Sequence, residues 1–190
     1  MDTLLAIFLG IGLSAACGFR IFVPFFIISI AKLSGHLETA PGFDWLGTWP
    51  AFMALFAATM VEIVAYYIPW VDNALDTIAT PTAAVAGAIA ASSAVTDVSP
   101  FLDWIIAIIG GGVATTVQVS TVALRGASTG TTGGFANPVI ATGELAGATV
   151  TSFASLLMPA VAVALVVAGG VATAFIFKRL LTKQKSETSG

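Results

Sequence analysis

Residues 49–70 read WPAFMALFAATMVEIVAYYIPW, and from Pro50 to Ile68 the only charged side chain is Glu62. About 30 Å of hydrocarbon is crossed at about 1.5 Å per helical residue, so a span needs roughly 20 apolar residues. Trp49 and Trp70 stand 21 positions apart. With Trp45 on one flank and Tyr66 and Tyr67 on the other, that spacing sets aromatic rings in both headgroup belts, where their amphipathic character favours them. In lipid, backbone polar groups must be satisfied internally, which leaves helices or closed barrels. The stretch is read as a membrane-crossing helix.

Working outward, residues 3–31, 81–96, 104–124 and 147–177 are also apolar enough to span, and Trp104 marks the edge of its stretch as Trp49 does. The first and last are long enough to break. Gly18 and Pro24 supply the means in one, Pro159 and the pair Gly169 and Gly170 in the other, since Pro and Gly interrupt helical hydrogen bonding. The expected fold class is therefore an all-α polytopic transmembrane bundle of about five spans in a single domain, residues 1–181. A disordered polar tail, residues 182–190, is expected to follow it.

Composition supports this and excludes other classes. Apolar residues make up 57% of the chain and charged residues 9%, whereas soluble domains carry roughly 25% charge. The net charge of −3 and the lack of a basic run exclude nucleic acid as a partner, because phosphates demand clustered cations. The single cysteine, Cys17, permits no intrachain disulfide. A lone His36 and a lone Cys17 make neither a zinc site nor a catalytic pair, so no metal, cofactor or enzymatic activity is expected. Leu4 to Leu13 resembles the apolar core of a signal peptide, but the residues before it are acidic at Asp2 and carry no Lys or Arg. It is read as a retained span.

Two stretches differ from a plain span. In 69–80, Val71, Ala74, Leu75 and Ile78 fall on one helical face, with Asp72, Asn73, Asp76 and Thr77 opposite. That pattern predicts an amphipathic helix lying in the interface and closed by Pro81. In 81–96 the residues are mostly Ala, Gly and Ser, a composition suited to close packing inside a bundle rather than to lipid. A re-entrant piece near 136–146 is a further option. Lys178, Arg179, Lys183 and Lys185 follow the last span, so a multi-pass protein of the cell membrane with a cytoplasmic carboxyl terminus is expected. Gly10 and Gly12 also align with Gly110 and Gly112 at an offset of 100, which would suit an inverted repeat of the transporter kind.

Ionisable residues inside a bilayer are disfavoured by about 2.5–3.5 kcal/mol each on insertion scales and tend to be functional. Glu62 is flanked on both sides by apolar residues; it is either a proton or cation carrier or a partner of Arg20 holding helices in register. Arg20, between Gly18 and Pro24, either binds an anionic group or snorkels to an interface. The segment Arg125 to Pro138 is rich in Gly, Ser and Thr. It is either a loop that presents backbone groups to an ion or a flexible surface connection ahead of a helix starting at Asn137-Pro138, with Asn137 as its cap. Gln118 and Glu144 offer polar partners for Arg125.

The segments Gly18-Phe19-Arg20 to Pro24, Val61 to Val64, Pro69 to Asp76, and Arg125 with Gly133 to Pro138 and Glu144 resemble a family of small bacterial membrane proteins known as domain of unknown function 4126. The resemblance covers about residues 10–175. It implies that Arg20, Glu62, Asp72, Asp76, Arg125, Asn137 and Glu144 occupy motif positions of that family. The chain departs from the pattern at Tyr66, where an acid is expected, at Gln118, where a histidine is, and at Leu145, where a second acid follows Glu144. The family brings no established activity with it. The expected function is a small transporter or channel for an ion or polar solute, with Arg20, Glu62, Arg125, Asn137 and Glu144 as the substrate-binding residues. The alternative is a non-catalytic membrane scaffold or assembly partner, supported by the small-residue span. The expected partners are the lipid bilayer, a small ion or polar solute, and a second copy of the chain.

Overall fold

A computed structural model of the chain describes residues 2–96, 98–171 and 175, excluding the side chains of Pro69, Trp70 and Asn73. The expected polar tail, the basic residues after the last span and the ring of Trp70 lie outside the described residues. The described residues form α1 (Thr3–Phe19), α2 (Phe22–Leu33), a short 3-10 turn (Asp44–Gly47), α3 (Trp49–Tyr66), α4 (Pro69–Ala94), α5 (Pro100–Thr132) and α6 (Asn137–Leu157). A further apolar helix, α7, covers Pro159–Val171. The all-α class stands. Four of these helices are long and apolar enough to cross a membrane.

Local signals start and stop the helices where the sequence provides them. The Thr48 hydroxyl accepts from the Ala51 N–H at the head of α3, and Ser99 does the same for Leu102 at the head of α5, each satisfying one orphan donor. Gly133 ends α5 in the left-handed region at φ 65°, a conformation that a side chain disfavours.

Several stretches differ from expectation. The apolar run 3–31 does not cross once. It breaks at Arg20 and folds back, so that Val23 and Ile27 of α2 pack on Ala148 of α6 while Phe25 and Ile28 join Leu13 and Cys17 of α1 in one core. Lys32 therefore returns to the end of the bundle where α1 begins. The pattern at 69–80 is not a separate interfacial helix closed by Pro81. It is the first part of α4, which runs through Pro81. Its faces are also reversed: Asp72 is buried, whereas Val71 and Ile78 are exposed, Ile78 at 57%. Lipid surrounds the bundle, so the apolar face turns outward and the acids turn in.

The Gly-rich segment after Arg125 is not a loop, because α5 continues to Thr132. Residues 137–146 are the first half of α6 rather than a re-entrant piece. The last apolar stretch does break beside Pro159, and α7 returns along the bundle. Gly12 faces both Ser155 of α6 and Ala162 of α7.

The helices α1, α4 and α5 pack through small residues, as the composition of 81–96 predicts. A Cβ on Gly110 would lie 2.5 Å from Ala91 Cβ and 2.6 Å from the Gly87 carbonyl oxygen. The Ser14 hydroxyl bridges the contact by donating to the Gly87 carbonyl at 2.8 Å. Along this seam Gly10 meets Ala91, and Gly18 meets Ala114 and Val117. Gly110 itself packs beside Ser14, so α1 and α5 run side by side in one direction, each antiparallel to α4. The match at an offset of 100 is thus not an inverted pair. Large apolar side chains instead face outward, among them Met53, Val61, Ile108 and Val139, as in a bundle solvated by lipid.

The turns α1–α2, α3–α4 and α5–α6 all lie at the same end of the bundle.

Candidate functional site

Beneath these three turns the structure gathers Arg20, Glu62, Tyr66, Asp72, Asp76, Arg125, Asn137 and Glu144. Arg20, Asp72 and Arg125 are each 2% exposed or less. Glu62 and Tyr66 stand one helical turn apart on α3, and Asp72 and Asp76 one turn apart on α4, so each pair shares a face.

Glu62 is not paired with Arg20. One of its oxygens accepts the Ile21 N–H at 2.7 Å and the other accepts the Phe22 N–H at 3.0 Å. A helix begins with backbone donors that have no intrahelical acceptor, and at α2 two of those donors, at Ile21 and Phe22, are partly buried. The carboxylate satisfies both and sits at the positive end of the helix dipole. Broken helices in transporters use the same kind of N-terminus to meet an anionic group; in this chain that group is supplied by α3.

Arg20 does not snorkel. Its Nη2 donates to the Ala141 carbonyl at 3.1 Å and lies 3.4 Å from Glu144 Oε2. The break at Arg20 is thus held from two sides, by α3 through Glu62 and by α6 through Ala141 and Glu144. Arg125 joins three acids. Its Nη1 donates to Asp72 at 2.7 Å and to Asp76 at 2.8 Å, and its Nη2 donates to the Glu144 oxygen that Arg20 also approaches. Both guanidinium groups lie over the Tyr66 ring, at 3.7 Å for Arg20 and 4.2 Å for Arg125. An aromatic face attracts cations through its quadrupole, which lets two like charges approach without an acid at position 66.

Asn137 does not cap α6, whose N-terminus shows no side-chain cap. Its amide points inward, donating to Asp72 at 3.0 Å and Thr129 at 3.2 Å. Gln118 is buried on α5, but Arg125 is bound by the three acids.

All five expected site residues therefore meet in one cluster. Tyr66, Asp72 and Asp76 complete it, although only the family resemblance pointed to the two acids. The resemblance marked Tyr66 only as a departure from the family pattern; its position one turn after Glu62 on α3 puts it on the same helical face. Several polar atoms of the cluster are buried without a hydrogen-bond partner: Arg20 Nε and Nη1, Arg125 Nε, Asn137 Oδ1, Glu144 Oε1 and the Ser128 hydroxyl. Beside the cluster lies a largely apolar cavity of about 740 Å³ between α1, α5, α6 and α7. It reaches the cluster's flank at Phe19, Thr121 and Leu124. Among the described residues no three His, Cys, Asp or Glu side chains are grouped to hold a metal ion.

Residues 7–179 match the family model described as domain of unknown function 4126, and the chain belongs to that family. No curated protein and no solved structure matches it.

Proposed function

We propose that this member of the family is a small membrane carrier for an ion or small polar solute. Its polar centre is formed by Arg20, Glu62, Arg125, Asn137 and Glu144, together with Tyr66, Asp72 and Asp76. The observation that carries this reading is the network of two arginines and three acids, Asp72, Asp76 and Glu144, with Glu62 bound to the backbone next to Arg20. It is contributed by α3, α4, α5, α6 and the break between α1 and α2. A buried ion pair stabilises a fold little better than apolar packing of the same volume, so a network this large calls for a use beyond stability. The α1–α2 tip supplies a moving part, since a cargo that alters its contacts to α3 or α6 shifts the hairpin between them.

The same reading gives an orientation. Gly12 meets Ala162, and Leu165, Val166 and Gly169 line the cavity with Ala15 and Phe19. This arrangement supports a course for α7 toward the end with the three turns. Lys178, Arg179, Lys183 and Lys185 come next in sequence, and the positive-inside tendency then assigns that end to the cytoplasm. The scaffold alternative loses its main support, because the small residues of α4 are engaged within the chain itself.

The test is flux in proteoliposomes across a panel of inorganic ions and small polar solutes. Glu62→Gln and Arg125→Ala are expected to abolish whatever flux the native protein shows. Flux unchanged in both variants would sink the site assignment. A single stoichiometric protein partner on crosslinking, with no flux of any solute, would instead favour the scaffold.

A further inference from the structure

The cluster sets two guanidinium groups, Arg20 and Arg125, against four carboxyls, Glu62, Asp72, Asp76 and Glu144. Two of the carboxyls, Glu62 and Asp72, are arranged as ionised ones, with both oxygens accepting. Both Glu62 oxygens accept backbone N–H groups. Both Asp72 oxygens accept, one from Arg125 and one from Asn137. Asp76 accepts from Arg125, and one Glu144 oxygen faces both guanidinium groups. Accepting through both oxygens without donating is the behaviour of a carboxylate. The two arginines offset Glu62 and Asp72, so Asp76 and Glu144 each need a proton or another positive charge, in an interior where uncompensated ions are strongly disfavoured.

The unpartnered acceptors offer ligands to a cation. Glu144 Oε1, Asn137 Oδ1 and the Ser128 hydroxyl are all buried without a partner. Glu144 binds Arg125 directly, Asn137 joins it through Asp72, and Ser128 lies one turn beyond it on α5. The arginines argue against an anion. Both terminal nitrogens of Arg125 already face carboxylates, and Arg20 Nη2 is bound to α6. The N–H groups left over on the two arginines ask for a neutral acceptor such as water, which can also hydrate a cation beside Glu144. Glu144 Oε1 is the one carboxylate oxygen buried without a partner among the described residues, which suits a single charge rather than a multivalent one.

We infer that the site takes monovalent positive cargo, a cation or a proton, and excludes anions. This rests on the carrier reading above and deepens it. The full chain in detergent is melted at constant ionic strength in choline chloride, with choline replaced stepwise by sodium, potassium or ammonium. A parallel series lowers the pH. A third arm replaces chloride by phosphate or acetate as choline salts. A saturable rise in Tm with one of the small cations, or with proton concentration, is expected, and no rise with either anion. Glu144→Gln is expected to abolish the effect. Asp76→Asn, at the rim of the cluster where folding is less at risk, is expected to weaken the apparent affinity at least tenfold.

A saturable rise with phosphate or acetate, a cation effect unchanged in both variants, or no effect in any arm would overturn the inference. Cation binding without flux would keep it and remove the carrier reading. Anion-driven flux would remove it and keep the carrier.

Discussion

Replacing Glu62 by Gln isolates the contact that holds the α1–α2 break. The native carboxylate accepts at 2.7 Å from Ile21 and at 3.0 Å from Phe22. Gln keeps one acceptor, but its NH2 group then faces a backbone N–H, two donors with nothing between them. A hydrogen bond to a charged group contributes about 1.5–3 kcal/mol, and a buried donor left unsatisfied costs about 1–3 kcal/mol. The loss of negative charge at a helix N-terminus adds about 0.3–1 kcal/mol. The first two figures overlap, because they describe the same bond. The expected loss is therefore about 3 kcal/mol.

At about 2–4 °C per kcal/mol for a chain of this size, the apparent Tm in detergent falls by about 6–12 °C. Tryptophan fluorescence melts read that shift. Hydrogen exchange locates it: 3 kcal/mol is about a hundredfold in an opening equilibrium. Amides at Ile21 and Phe22 should exchange about a hundredfold faster in the variant, with those of the α4–α5 seam little changed. A Tm within about 1 °C of native, together with unchanged exchange at Ile21 and Phe22, would refute the capping role of Glu62.

Further outcomes follow from the same geometry. Arg125→Ala leaves Asp72, Asp76 and Glu144 without their shared partner and should destabilise the protein by about 3–5 kcal/mol; Arg125→Lys should recover less than half of this in the same melts, because an ammonium has no planar fork. Tyr66→Leu keeps apolar volume but removes the ring beneath both guanidinium groups, and should cost about 1–4 kcal/mol at about 0.5–2 kcal/mol per cation–π contact. Gly110→Ala forces a Cβ against Ala91 and Gly87 and should cost about 1–3 kcal/mol. Gly112→Ala meets nothing within 4 Å and should be neutral or gain up to about 1 kcal/mol of helix propensity on denaturation.

The class of the fold was legible because hydrophobic length and aromatic edges report directly on a bilayer, as at Trp49 and Trp104. Which face of a helix is buried was harder to read. The periodicity that separates Val71 and Ile78 from Asp72 and Asp76 was present in the sequence, but it names two faces without saying which solvent surrounds them. An interface buries the apolar face, whereas a bundle in lipid buries the acids beside Arg125. The hairpin at Arg20 was hidden for a different reason. Gly18 and Pro24 mark a break, but only the buried acceptor contributed by Glu62, 40 positions away from Phe22, allows the chain to fold back there. The extension of α5 through Gly126 and Gly130 was obscured by glycines that ordinarily signal a loop.

Whether the charged cluster carries cargo across the bilayer is read from the current recorded from reconstituted protein. Proteoliposomes on a solid-supported membrane receive concentration jumps of small monovalent cations and of protons. A transient positive current is expected into vesicles containing the native protein, absent from empty vesicles and abolished by Glu144→Gln in preparations whose melts show a folded chain. Currents indistinguishable between empty vesicles, native protein and variant across the whole panel would contradict transport by the cluster.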